Sequence, residues 1–356
     1  MSEKEMSTED LIGRLSDSDD LKRSLAVEEL RGRGSPEALV PLTVLIEKEG
    51  RDTFFTICCA NALKRIDFPN ITDHDLVEAA VKLRALLKDI FPAGEMTEKL
   101  SAALEGLMET WEMRRGDLIG LAGDSTNVER MVEAIELLGR MGEVDAIDVL
   151  AGQIISFPPD IARGTPGNIA HPDPKVRVAS INALANVLSG LNPKDERRSS
   201  LYFEHVLEAC EEGGRELRHP EKEVRLAAVN ACGLMGDPSA FPYLVEMLRP
   251  VERRTNIFSR NEEREVILAA ANALGNMNYE NEGSPELGSY AGVIRNLLGY
   301  YKNDSEVIGL LLDAQSRIFA TLSDKYAGLA RDTKGMARAL APPEGTRAVP
   351  AAQMRT

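Results

Sequence analysis

HPEKEVRLAAVNACGLMGDPSAFPYLVEML, residues 219–248, decides how this chain folds. Val224, Ala227, Ala228 and Ala231 fall at i, i+3, i+4 and i+7, the spacing of a single apolar stripe on a helix. Asp237-Pro238 then interrupts the run: aspartate caps a following helix, and proline suits its first turn. SAFPYLVEMLR continues with a second apolar face at Tyr243, Leu244 and Met247. The stretch therefore predicts two short helices joined by a tight turn. No period-2 stretch of useful length competes with that reading.

The pattern recurs. Residues 130–142 (RMVEAIELLGRMG), 224–236 (VRLAAVNACGLMG) and 266–278 (VILAAANALGNMN) can be laid over one another. Each has a small residue in mid-helix (Ala134, Ala228, Ala270), a later glycine (Gly139, Gly233, Gly275) and a methionine two positions on. A fourth copy, residues 176–188 (VRVASINALANVL), carries Ala185 where the others carry that glycine. Weaker copies place Arg31, Lys64, Glu105 and Phe319 at the same anchor. The strong anchors lie 42 to 48 residues apart (139, 185, 233, 275), close to the ~40–47-residue period of stacked helical hairpins. In this reading small mid-helix residues let neighbouring helices approach, and the late glycine with its short turn ends the first helix and folds the chain back.

Composition agrees. Aromatics are 5% of 356 residues, with Trp111 the single tryptophan, and the apolar content rests on Ala, Leu, Val and Ile, which suits close-packed helices. Trp111 is expected in the core at a repeat junction. A net charge of −15 repels the phosphate backbone and argues against a nucleic-acid partner. Cys58, Cys59, Cys210 and Cys232 form no C-x-x-C pair and read as buried reduced thiols. The acidic N-terminus lacks the apolar core of a signal peptide, and no run of ~18 apolar residues exists to span a membrane. These features place the expected protein in the cytoplasm.

HPDPKVRVASINALANV and residues 219–248 resemble HEAT repeats, specifically the phycobilisome-lyase-like (PBS lyase HEAT-like) subfamily. His171-Pro172-Asp173, His219-Pro220-Glu221, Val176-Arg177, Val224-Arg225, the internal alanines, Gly233 and Gly236-Asp237 carry the resemblance. It extends over about 125–280 and weakens around 91–116. It implies an all-α, armadillo-like α-solenoid of about seven to eight helical hairpins in a right-handed superhelix. The expected divisions are 1–124, degenerate N-terminal repeats; 125–330, well-formed repeats with a C-terminal cap; and 331–356, a Pro-containing disordered tail.

The resemblance is specific for fold and nearly silent on chemistry. Deoxyhypusine hydroxylase shares the architecture but holds iron with His-Glu pairs; here His74, His171, His205 and His219 are never followed by Glu. GLAGDST lacks the lysine and preceding strand of a phosphate-binding loop. No cofactor, metal or catalytic set is expected. The predicted role is a non-catalytic scaffold or adaptor holding another protein on a concave face lined by second helices and a rim of loops. A subunit of a lyase-type enzyme related to phycobilin lyases is the alternative. On the rim, PVERRTNIFSR contrasts with the acidic body, and arginine with exposed aromatics anchors interfaces. The expected contact residues are Arg253, Arg254, Phe258 and Arg260, with Arg215 and Arg218 nearby.

Overall fold

The computed structural model describes residues 6–50, 54–91, 94–124, 126–154, 171–191, 221–249 and 264–340, with side chains through 327. Regular structure among them is entirely helical. The chain forms two compact units, Met1–Ala231 and Cys232–Thr356.

The first unit opens with a short helix, α1 (Thr8–Arg14), on the hairpin α2 (Asp20–Arg33) and α3 (Leu39–Glu49). A second hairpin, α4 (Phe54–Leu63) and α5 (Asp73–Ala85), stacks on it, followed by α6 (Glu95–Gly123). Next come α7 (Val128–Met141), α8 (Ile147–Ile154) and α9 (Pro174–Gly190), with the start of α10 (Lys222–Met235). The second unit holds the end of α10, then α11 (Phe241–Leu248), α12 (Arg264–Asn276), α13 (Ser284–Tyr300) and α14 (Ser305–Leu340). Within the first unit, from α1 to α9, each helix packs on the next one or two along the chain, the neighbour-only contact of a repeat stack; in the second, α11 packs on α12, and α12 and α13 pack on α14.

The hairpin turns follow from local chemistry. Gly34, Gly142 and Gly236 have φ of 62°, 71° and 64°, the left-handed conformation that ends a helix and disfavours other residues. Each leads into a three-residue 3₁₀ turn (36–38, 144–146, 238–240) and the second helix. The Asp237 side chain accepts from the Ser239 amide at 2.9 Å, as its place before Pro238 predicts. The turns also stack. The Gly34 carbonyl accepts from the Asp67 amide (3.1 Å), and the Gly236 carbonyl from the Asn278 amide (2.7 Å). A Cβ on Gly34 would lie 2.6 Å from the Arg65 carbonyl oxygen, so this position needs glycine for room as well as for φ.

The later glycines of the aligned repeats do something else. Gly139, Gly233 and Gly275 lie within their helices and do not end them. They are contact points between neighbouring first helices. A Cβ on Gly139 would sit 2.5 Å from Cα and Cβ of Ala183 on α9. In the second unit a Cβ on Gly233 would sit 3.1 Å from the same atoms of Ala273 on α12.

Two expected hairpins are replaced by single long helices. The weak copy anchored at Glu105 lies inside α6, which runs 29 residues without a turn. The copy around Phe319 lies inside α14, which runs 36 residues and includes 331–340, a stretch whose composition reads as tail. Neither place has the Gly-x-Pro or Gly-Asp-Pro that breaks α2 from α3 and α10 from α11, so propagation of the helix wins. Residues 341–356 lie outside the described residues.

Trp111 takes the junction role its surroundings suggest. It is buried in α6, and its indole N–H donates to Glu143 in the turn after α7 at 3.1 Å. Charged ends are satisfied in the same region: Arg84 of α5 donates to the Met141 carbonyl at 3.1 Å, a cation at a helix C-terminus.

Candidate functional site

The six residues singled out by charge contrast, Arg215, Arg218, Arg253, Arg254, Phe258 and Arg260, lie outside the described residues. The described residues form a groove of about 490 Å³ in the first unit. It is lined by Val132, Glu136 and Arg140 of α7, by seven residues of α9 between Pro174 and Asn186, and by Glu223 of α10. These are first helices of their repeats. The sequence reading looks instead to the second helices for a binding face.

Local sequence explains the groove. Glu136 and Arg140 follow Val132 at four-residue intervals, one row along α7. On α9 the row is Pro174, Val178, Asn182 and Asn186, with Lys175, Ala179 and Ala183 beside it. The Gly139–Ala183 contact draws the two helices together at one edge. The start of α9 is fixed by HPDP: the Asp173 side chain accepts from the Lys175 amide at 2.8 Å, and Pro174 occupies the first turn. His171 supports that cap, since its Nδ1 accepts from the Asp173 amide at 3.1 Å while its own amide donates to the Gln153 carbonyl at 2.9 Å. This histidine serves the backbone.

The lining has two layers. Ala179 and Ala183 are buried, and Val132, Pro174 and Val178 are half-buried, so the floor is apolar. Glu136, Arg140, Lys175, Asn182, Asn186 and Glu223 form an exposed rim. None of these six side chains has a hydrogen bond or ion pair among the described residues. Elsewhere on the same unit comparable groups are paired: Arg114 with Asp73 at 2.6 Å, Arg115 with Asp145 at 3.1 Å, Lys82 with Glu47 at 3.5 Å. The rim offers two acids, two bases and two amides. Such a set can satisfy both donors and acceptors of a neutral polar chain lying on an apolar floor.

Cys58, Cys59 and Cys232 are buried and outside any disulfide, and burial pushes Cys59 up to about 12, which keeps it as an unreactive thiol. No group of three or more metal-ligating side chains occurs among the described residues. Nor is any described helix long and apolar enough to cross a membrane.

Sequence reasoning overlooked one signal that points here. Three residues before the anchor, asparagine recurs at Asn61, Asn182, Asn230 and Asn272, while α7 carries Glu136. Asn182, Asn230 and Asn272 are exposed. An exposed amide repeated at one helical position marks a face, and the alignment of the four segments already contained it.

Residues 224–249 match the family model described as PBS lyase HEAT-like repeat, the hairpin of α10 and α11. No curated protein matches the chain. Residues 224–249 are thus a repeat of the PBS lyase HEAT-like kind, set in an all-helical chain whose consecutive helices are consistent with a solenoid of HEAT-like repeats.

Proposed function

We propose that the protein is a binding scaffold that holds a segment of another protein in the α7–α9 groove. The observation that carries this is the groove's make-up: an apolar floor beneath six exposed polar side chains with no partners among the described residues. Removing apolar surface from water supplies the driving force, and the amides and charges fix orientation. An extended polypeptide matches both layers, since it alternates side chains with backbone donors and acceptors. The balanced rim gives no preference for phosphate, which needs an excess of Lys and Arg. The loop residues Arg215, Arg218, Arg253, Arg254, Phe258 and Arg260 are proposed as a secondary contact set on the same partner.

Co-purification from the native host tests this. Tagged wild-type protein should retain a polypeptide partner that Val178→Glu loses, because a carboxylate on the floor cannot be buried unpaired. Val178 is half-buried at the surface, so the variant should fold. An identical set of co-purifying proteins from wild type and variant would overturn the groove as the binding surface.

A further inference from the structure

Two rows of polar side chains line the α7–α9 groove, one on each helix, and both have the same step. Glu136 and Arg140 are four residues apart on α7, as are Asn182 and Asn186 on α9. Four residues of helix rise about 6 Å and stay on one face. The close approach of Gly139 to Ala183 sets the rows side by side, since Arg140 and Asn182 are the sequence neighbours of those two residues. Glutamate and arginine one turn apart on a helix ordinarily pair. Glu136 and Arg140 have no ion pair among the described residues, so both are available to a ligand.

An extended strand has a matching step. It repeats every two residues, about 6.6 Å, and at each repeat one residue turns both its N–H and its C=O to the same edge. A primary amide carries the complementary acceptor and donor. Asn182 and Asn186 can therefore each take the N–H and C=O of one residue on one edge of a strand, two residues apart. On the other edge the Glu136 carboxylate can accept from an N–H and the Arg140 guanidinium can donate to a C=O. Every second side chain then faces the floor of Ala179 and Ala183. A helical occupant bonds its main-chain groups internally and leaves both rows unmet. Charge points the same way: in a chain of net charge −15 the rim's two acids and two bases cancel, which matches an uncharged main chain.

We propose that the groove takes its partner as an uncharged extended strand, gripped by its main chain along both edges, with small apolar side chains at every second position. From Pro174 to Asn186 the groove follows α9 for about 18 Å, room for about five residues at ~3.3 Å each. This inference rests on the scaffold reading above and names the kind of segment the groove recognises.

Fluorescence anisotropy with end-blocked, fluorescein-labelled peptides tests it on the full chain. The probe is Ser-Val-Ser-Val-Ser-Val-Ser, whose valines share one face of a strand. Ser-Ser-Val-Val-Val-Ser-Ser has the same composition without that face. The alternating peptide should bind about tenfold or more tightly than the contiguous one. N-methylating two adjacent central amides, one on each edge, should weaken the probe about tenfold or more. Asn182→Leu combined with Asn186→Leu should weaken the unmethylated probe to a similar degree, with circular dichroism unchanged because both side chains are exposed. Equal binding of the two sequences, full binding of the methylated probe, or no binding of any probe would overturn the strand. Those results leave the scaffold reading standing wherever Val178→Glu still loses its co-purifying partner. An unchanged set of co-purifying proteins removes the scaffold reading itself.

Discussion

Two neighbouring pairs of first helices, α4 with α6 and α7 with α9, show what the same building block can be made to do. Asn61 and Asn182 occupy one position of the repeat, three residues before the anchor. On α4 that amide is half-buried and its oxygen accepts from the Lys99 ammonium of α6 at 3.0 Å, with Lys99 held in turn by Glu95 at 3.3 Å. On α9 no lysine reaches across among the described residues, and Asn182 stands exposed over an apolar floor. The first pair spends its polar groups inside the stack; the second leaves them for something outside it. A binding surface in a repeat protein can thus be recognised as the place where internal pairing lapses.

The contrast is most strongly broken at Gly139. Gly139→Val would drive a branched side chain into the backbone of Ala183, already 2.5 Å from a Cβ. Overpacking of this kind costs on the order of 1–3 kcal/mol or more, and α7 and α9 must separate. Chemical denaturation should show that loss, and partner binding should fall with it. Gly233→Ala, whose Cβ would lie 3.1 Å from Ala273, should lose distinctly less.

Asn182→Ala combined with Val178→Glu should sharpen the contrast from the other side. Binding should weaken about tenfold or more, while thermal stability stays within about 0.5 kcal/mol of wild type, as for surface positions generally. A stability loss as large as that of Gly139→Val would show these residues to be packing groups.

The α4 side also titrates differently. Cys58 and Cys59 are both raised, chiefly by burial, with Cys59 reaching about 12. Both are neutral in the fold, and an unfolded thiol ionises above about 8.5. Their burial therefore stabilises fully below that pH, and stability is lost as pH climbs from there towards about 12. Melting temperatures at rising alkaline pH should fall, less steeply in Cys59→Ala. An equal fall in that variant would assign the loss elsewhere.

Lys99→Ala is the mildest change. It frees Asn61 and removes one partly buried hydrogen bond, at about 0.5–1 kcal/mol. A measured loss above about 3 kcal/mol would mean that Lys99 holds the α4–α6 contact together.

Most of the fold was legible because helical hairpins announce themselves locally. Turn glycines, Asp-Pro and i, i+4 stripes are short-range signals, and the Gly34, Gly142 and Gly236 turns obey them. What failed was the reading of long-range meaning. Gly139 and Gly233 look like helix terminators next to Met141 and Met235, yet their role depends on Ala183 and Ala273, more than forty residues away. The weak copies anchored at Glu105 and Phe319 fall inside single helices, α6 and α14: the stripe persists through them, and the missing turn residues carry the decisive information. The groove was hidden for a related reason. Charge contrast points to loop arginines, whereas Asn182, Asn186 and Val178 are ordinary residues, and that the two amides lack side-chain partners among the described residues is visible only in three dimensions.

Site-specific photo-crosslinking in the native host tests the central claim most directly. A benzophenone side chain replacing Asn182, over the groove, is compared with one replacing Leu25, 60% exposed on α2. The account predicts a covalent adduct with another polypeptide from position 182 and none of the same mass from position 25. No adduct at 182, or the same adducts at both positions, would contradict it.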